Sequence, residues 1–532
     1  MKAILLLNSD GSLTRWQADA LQEAKRSGLS ISGVLLAASQ NKRKIHSGVV
    51  GYYAIASLAQ VGNPWMKRQS STDVLDDSVP VLMVSCTASG SWDVLPSEAW
   101  DFCSGNDVMI KFGLGLLRIP ENLPLRHGVL SYHHGDPRSY RGRPAGFHEM
   151  VSHEPIMGVI VQRLSNVLDG GEVLAEAKSP VYPHSYRATL TNAYRSGVPL
   201  LGAAVRNLLF HRQTDIDSLG RNYSLPNNAV VAKFLAQQAA ASASRLAYGA
   251  FRRKAWQVGY SAISLNLTGG DTVISSSEIN RTPTPKPYSF LADPCSEDSQ
   301  GIFCEAMPAS GKGRIVRLSR EGVDEVGFGR QGSHFSYPQR VDSGSNCYLF
   351  PEVASHSSPC LYEIDSHSLS VFGQWKLTGL EAERILDGTL FEHLGRWYLF
   401  GQRADEPVSI ARLWHSEGLF DRWEEHQDSP IAIDPRRARM AGPIMKDGGN
   451  LFRLTQDSSG GYGAAVTINQ IQAISSETYA EKFLGRVSID GWKGPHTITA
   501  SSQGGYWLDC YRDVWSLRAG VSRLRARFGG KR

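Results

Sequence analysis

Residues 128–149, GVLSYHHGDPRSYRGRPAGFHE, crowd His133, His134 and His148 around a Tyr140-Arg141-Gly142 corner, with His127 just upstream. Three chemistries compete for such a segment: metal ligation, general-base catalysis of acyl transfer, or a busy polar loop. Metal ligation fails on geometry, because adjacent strand residues point to opposite faces and His133 and His134 cannot share an ion. His127 and His148 have no ligand spacing, and none of the seven cysteines forms a C-x-x-C pair, so no metal site is expected. A general base at a strand end instead needs a carboxylate to orient it. Asp169, in the LDGGEVL turn with Gly170 and Gly171, follows His133 by 36 residues and is the candidate.

These groups must be held by the elements around them. Short apolar runs recur at KAILLL (2–7), ISGVLLA (31–37), VPVLMV (79–84), DVMIKFGLG (107–115), HGVLSY (127–132) and MGVIVQRL (157–164). Helical patterns separate them. In LTRWQADALQEAKRSG, Ser12 reads as the preceding N-cap, Trp16, Ala20, Leu21 and Ala24 share one face, and Gly28 ends the helix. Continuous apolar strands between helices predict a parallel sheet covered on both faces, an α/β Rossmann-like domain over 1–212. Ligands of such a sheet bind at the carboxyl ends of the strands, where the SYHHGD cluster lies.

From residue 213 the pattern changes. A loop-like stretch and an alanine-rich helix form a helical linker over 213–254, and the chain then turns to β structure. GIFCEA (from Gly301), CYLFPE (from Cys347), WYLFGQ (from Trp397), LFRLTQ (from Leu451) and YWLDCY (from Tyr506) recur at intervals of 46, 50, 54 and 55 residues. Each follows a short motif: ADP at 292, SYP at 336, DGT at 387, AGP at 441, HTI at 496. Five such units predict an all-β five-bladed propeller over 255–518, its ring closed by a strand around Trp256–Ile263. Residues 519–532 form a basic tail.

With 532 residues the chain exceeds a single core, and 42% hydrophobic with 20% charged residues is ordinary for a globular protein. The net charge of +5 sits partly in the tail, so no nucleic-acid partner is expected. An odd cysteine count without paired spacing fits a reducing compartment. Five apolar residues precede Asn8, too few for a signal peptide, and no window approaches the ~20 apolar residues of a membrane span. A cytoplasmic protein without a membrane span is expected. Nothing in the sequence sets an oligomeric state.

SYHHGDPRSYRGRP followed by MGVIVQRLSNVLDGGEVL resembles, over about residues 1–210, the catalytic domain of the formyltransferases that use 10-formyltetrahydrofolate. That family carries Asn-x-His at a strand end, a Tyr-Arg-Gly loop and an Asp-x-Gly downstream. The resemblance implies 10-formyltetrahydrofolate as cosubstrate and attack of an amine on its formyl carbon through a tetrahedral oxyanion. His133 then takes part in proton transfer and stabilises the oxyanion, and Asp169 orients His133 or relays the amine proton. Ser131 stands where the family has its Asn oxyanion donor; losing one such donor typically costs ~3 kcal/mol. Tyr140 and Arg141 shape the loop over folate or substrate. Phe112, Gly113, Leu114 and Leu117, with Asp169, hold the cofactor.

Residues 255–515 resemble the β-propeller region of plant glucosamine inositolphosphorylceramide transferases and, more loosely, five-bladed glycosidase folds. The motifs carrying this are ADP, SYP, DGTLF (387–391), ARMAGP (438–443) and RLTQDSSGGYG (453–463). By that resemblance Asp293, Glu352 and Asp387 face a central funnel and bind substrate. The expected whole is a formyltransferase acting on an amino sugar, nucleotide-linked, for surface polysaccharide or glycolipid synthesis, with the propeller recognising carbohydrate or serving as scaffold. Two alternatives stand beside it: an inactive formyltransferase-like domain with a carbohydrate-binding propeller, and a propeller glycosidase with an accessory folate-type domain.

Overall fold

The structure, a computed structural model, describes residues 1–41, 47–76, 78–212, 218–309, 311–329, 333–356, 358–521 and 523. The first residues of the expected linker (213–217) and most of the basic tail (522, 524–532) lie outside the described residues. The chain divides into two compact units, Met1–Ala243 and Ser244–Arg532.

The first unit is built on a seven-stranded sheet of β1 (Lys2–Asn8), β2 (Ser30–Ala38), β3 (Val81–Ser85), β4 (Val108–Lys111), β5 (Val129–His133), β6 (Ile156–Arg163) and β7 (Glu172–Pro180). Its spatial order is β7-β6-β5-β4-β1-β2-β3. The expected run of parallel strands holds from β5 to β3. An all-parallel sheet is corrected: β6 runs antiparallel to both β5 and β7. The connection from Arg163 to Glu172 is far shorter than a parallel crossover needs, so β6 and β7 can only form a hairpin.

The first helix, α1 (Arg15–Arg26), buries Trp16, Ala18, Ala20, Leu21 and Ala24. Its cap is Thr14, not Ser12: Thr14 N–H donates to Gln17 Oε1 at 2.8 Å. Ser12 is held extended by a short ladder with Arg68–Ser70, so the helix cannot start there. Further helices are α2 (Val50–Gln60), α3 (Ser97–Cys103), α4 (Phe147–Val151), α5 (Tyr186–Gly197), α6 (Leu200–Leu209) and α7 (Asn228–Phe251). Ile4, Leu6, Leu35, Met109 and Val129 pack with Ala99 and Cys103 of α3 in one apolar cluster. The split between the compact units falls inside α7.

The second unit contains, among the described residues, five sheets in chain order, antiparallel except where Thr272–Ile274 joins the fourth parallel to Tyr479–Ile489. They open with Tyr288–Glu297, Phe335–Ser343, Ile385–His393, Met445–Asp447 and Ile498–Ala500. The repeated segments GIFCEA, CYLFPE, WYLFGQ, LFRLTQ and YWLDCY all fall on the second strand of a sheet. The strand Arg252–Ser261, from the start of the unit, pairs antiparallel with the last strand, Tyr506–Trp515, from Arg252↔Trp515 to Ser261↔Tyr506.

The motifs preceding the repeats have a common cause. Asp293, Tyr337 and Asp387 sit at irregularities of the first three opening strands with φ of 51°, 48° and 45°, and Gly442 has φ 125°. A side chain at Gly442 would stand 2.1 Å from the Ile498 carbonyl oxygen, which explains the glycine. In the first three sheets these kinks leave residues of the opening strand out of the ladder.

Candidate functional sites

His133 is the last residue of β5, and alternation along the strand puts its side chain on the side opposite Tyr132. Tyr132 faces the helices, where its hydroxyl donates to Gly197 O at 2.9 Å. His134 also turns into the core, its ring edge-on to Trp16 and Tyr194. Burial first, then neighbouring His133, pushes the His134 pKa down to about 3, so it stays neutral.

His133 is buried, with Nδ1 3.4 Å from Asp169 Oδ1 and Nε2–H donating to the Tyr140 carbonyl at 3.1 Å. Asp169 occupies the left-handed region, φ 46°, which aspartate tolerates, and its Oδ2 accepts Gly142 N–H at 2.7 Å. One carboxylate therefore ties the Tyr140–Gly142 corner to the strand-end histidine. The fold thus brings together the two sequence candidates 36 residues apart. Both ring nitrogens of His133 are engaged, and productive contact with a substrate requires displacing the Tyr140 carbonyl.

The other expected residues are placed as follows. Ser131, two residues back on the strand, has its hydroxyl 3.5 Å from the Tyr132 carbonyl, at the limit of a hydrogen bond. Arg141 is spent on the loop, Nε donating to Gly220 O at 2.9 Å and Nη1 to Leu168 O at 3.3 Å. Tyr140 bonds Glu154 at 3.1 Å and stacks on Tyr223. Phe112, Gly113 and Leu114 follow β4, the parallel neighbour of β5. Gly113 lies so close to β1 that a Cβ would be 2.3 Å from the Leu7 backbone, and Leu114 N–H donates to Asn8 Oδ1 at 2.9 Å. Leu117 is a core residue, 1% exposed, packed with Leu125 and Val129 rather than presented to a ligand.

Sequence reasoning missed Glu149. It is 2% exposed and lines a narrow cleft with His133, Arg143 and His148. Burial chiefly raises its carboxyl to about 7. Its only sequence signal is a charged residue inside an apolar helical turn.

The second unit gathers its acids into two groups. Glu352 Oε2 accepts Asp387 N–H at 3.0 Å, Asp387 pairs with Arg439, and Gln456 Nε2 donates to Asp387 at 2.9 Å. Burial and then the Asp387 charge push Glu352 up to about 8, against the pull of Arg439. Asp293 belongs to the other group, with its Oδ1 3.0 Å from His496 Nδ1, which also lies 3.2 Å from Asp509 Oδ2. Asp293 pairs with His496 and Glu352 with Asp387, and Tyr462 touches both groups through His496 and Arg439.

Asp293, His496 and Asp509 place ligand-type atoms within 4.8 Å of one another. Asp509 is already committed, accepting the N–H groups of His496, Thr497 and Asp293 at 3.0, 2.7 and 3.0 Å. Asp509 is saturated by these donors, and a cation there would have to displace them, whereas the buried His496 Nε2 has no hydrogen-bond partner. Burial opposes charge on His496, but Tyr462, Asp509 and Asp293 outweigh it and hold its pKa well above the usual histidine value. Tyr462 leans on the His496 ring at 4.8 Å and carries the Arg439 guanidinium at 5.3 Å.

Glu305 completes this centre. It is buried and, with burial first and Asp293 second, held well above the ordinary carboxyl pKa. Its signal lay in the repeats: Glu305, Glu352 and Gln402 occupy one register position, opposite Ala292, Ser336 and Leu386.

The family described as "Glucosamine inositolphosphorylceramide transferase 1, N-terminal" matches residues 325–495, inside the second unit. Glucosamine inositolphosphorylceramide transferase 1 of Oryza sativa subsp. japonica is 26% identical over 275 residues, 47% of this chain and 36% of that protein. The chain therefore spans about a third of the length of this relative. Among solved structures, the phosphoribosylglycinamide formyltransferase of Anaplasma phagocytophilum is 15% identical, covering 42% of this chain and 99% of that one, with a TM-score of 0.27. A sugar 3N-formyl transferase solved in the presence of dTDP and 5-N-formyl-THF is 11% identical, covering 62% and 98%, with a TM-score of 0.28. Among the described residues, no helix is long and apolar enough to cross a membrane.

Proposed function

We propose that the first unit transfers a formyl group from 10-formyltetrahydrofolate to the amine of an amino sugar. The observation that carries this reading is the pairing of His133, at the carboxyl end of β5, with Asp169, which also clamps the Tyr140–Gly142 corner. Amine attack on the formyl carbon releases a proton and builds an oxyanion. His133 and Asp169 supply a path that carries this proton to N10 of the folate, whose bond to the formyl carbon breaks as the oxyanion collapses and tetrahydrofolate leaves, and His133 with Ser131 lies on one side of the strand to meet the oxyanion. Phe112, Gly113 and Leu114, beside that strand end, are the proposed folate contacts. Leu117 supports that loop from the core.

In this reading the five successive sheets form a five-bladed propeller, supported by the pairing of Arg252–Ser261 with the final strand. Its acids, Asp293, Glu352 and Asp387, contact sugar hydroxyls, and the product serves polysaccharide or glycolipid synthesis. The similarity to plant glucosamine inositolphosphorylceramide transferases supports a glycan-related role for this unit. The decisive experiment incubates the protein with 10-formyltetrahydrofolate and a panel of nucleotide-linked amino sugars, with mass spectrometry for a formylated product. No product with any acceptor overturns the reading.

A second reading, a catalytically silent first unit beside a carbohydrate-binding propeller, is favoured by one observation. Nε2 of His133 is committed to Tyr140 O, and the Ser131 hydroxyl rests near its own backbone. Folate binding without turnover would select it.

A further inference from the structure

A cleft of about 910 Å³ opens between the first and fifth sheets of the second unit. None of Asp293, Glu352 or Asp387 lines it. Its walls are fixed in advance. The Trp507 indole N–H donates to Glu297 Oε1 at 2.9 Å, and its ring meets Tyr260 edge-on at 5.5 Å. Glu297 also accepts from Ser501 Oγ at 3.1 Å and Ser502 N–H at 2.6 Å. Asp298 accepts the N–H groups of Gln300 and Gly301 at 2.8 and 2.9 Å. Arg317, 5% exposed, donates to Ser366 O at 2.7 Å, while its Nε has no hydrogen-bond partner.

The chemistry of the cleft narrows the ligand. Four carboxylates, Glu297, Asp298, Glu321 and Asp324, face two guanidinium groups, Arg317 and Arg320. That balance repels phosphates and acidic polymers. Glu297 and Asp298 are spent on N–H and O–H donors, so they do not form a cation cage. What remains is an immobilised aromatic pair, the amides of Gln300, Gln503 and Asn280, and two exposed acids, Glu321 and Asp324, the second 3.8 Å from Arg317 Nη2. Rigid Trp and Tyr rings give contact area at little entropic cost, and amides bond hydroxyls in either sense.

We propose that this cleft binds a glycan bearing free amino sugars, with a sugar face on Trp507 and the ammonium group toward Glu321 and Asp324. It extends the saccharide recognition proposed above to a site apart from the central acids. The test is calorimetric titration of the full chain with a glucosamine tetramer, cellotetraose and a galacturonic acid trimer. The glucosamine tetramer is expected to bind most tightly and the galacturonate most weakly. Trp507→Ala should weaken the tetramer about tenfold or more, as loss of a buried aromatic anchor does. Because Trp507 packs against the Val258 cluster, its melting curve is read alongside. The exposed double variant Gln300→Ala/Gln503→Ala should weaken binding without loss of fold, and Glu321→Gln/Asp324→Asn should abolish the preference for the amine. Equal affinity in wild type and all three variants, a preference for galacturonate, or no binding of any oligosaccharide overturns the proposal. Formylation measured on the same preparations separates this failure from failure of the transferase reading.

Discussion

Asp169→Asn is the sharpest test of the first unit. The amide is isosteric, keeps an oxygen for the Gly142 N–H, and like aspartate tolerates the left-handed backbone of φ 46°. What it removes is the charge 3.4 Å from His133 Nδ1. The hydrogen bond to Gly142 changes from charge-assisted to neutral, a loss of about 1 kcal/mol. For a unit of this size that lowers the melting temperature by about 2–4 °C. If His133 and Asp169 handle the amine proton together, turnover should fall about 10²–10⁴-fold while the affinity for 10-formyltetrahydrofolate changes little. Asp169→Ala is the contrast: it orphans the Gly142 N–H and puts alanine, which lacks the polar side chain that lets aspartate tolerate it, in the left-handed region, costing about 3 kcal/mol. The assay is single-turnover formylation of a nucleotide-linked amino sugar beside thermal melts of both variants. An Asp169→Asn enzyme within threefold of wild type would refute the reasoning, because the charge would then have no part in the reaction.

At pH 7, Asp387→Asn should destabilise the second unit by about 1–3 kcal/mol, because it leaves the Arg439 guanidinium with only Glu352, 3.8 Å away, as a carboxylate partner. Glu352→Gln should cost less than about 1 kcal/mol, since the Glu352 carboxyl, raised from 4.5 to about 8, is already largely neutral. A raised carboxyl stabilises most below its unfolded value, and that contribution is lost as pH climbs through about 8. The urea midpoint of Glu352→Gln should therefore fall less than that of wild type between pH 5 and 9. Glu481 behaves oppositely: burial is overcome by Arg453 and Arg437, which hold it down at about 2, so its contribution is present above 4.5 and lost as pH falls toward 2. Melts at pH 5 and 2.5 should show a steeper loss in wild type than in Glu481→Gln. The ring of His134, held near 3, should show no proton titration by NMR between pH 5 and 8, and a midpoint near 6.5 would mean that it is not a core residue.

Much of the architecture was legible from the chain alone. The apolar runs mark the parallel strands β1 to β5, the alternation along SYHH separates His133 from His134, and the recurrence of GIFCEA-like segments finds the second strand of every sheet. These features follow from backbone geometry, whose periods of 2 and 3.6 residues force each segment to display its buried face locally. Tertiary structure decided the rest. A short loop folded β6 and β7 into a hairpin, a ladder with Arg68–Ser70 moved the cap of α1 from Ser12 to Thr14, and core packing took Leu117 from the expected cofactor loop. It also paired Asp293 with His496 and Glu352 with Asp387, and brought in Glu305 and Asp509, whose local sequence looks like ordinary strand alternation. Which carboxylate meets which partner depends on where distant strands end and on how deeply each group is buried. Periodicity along the chain carries neither quantity.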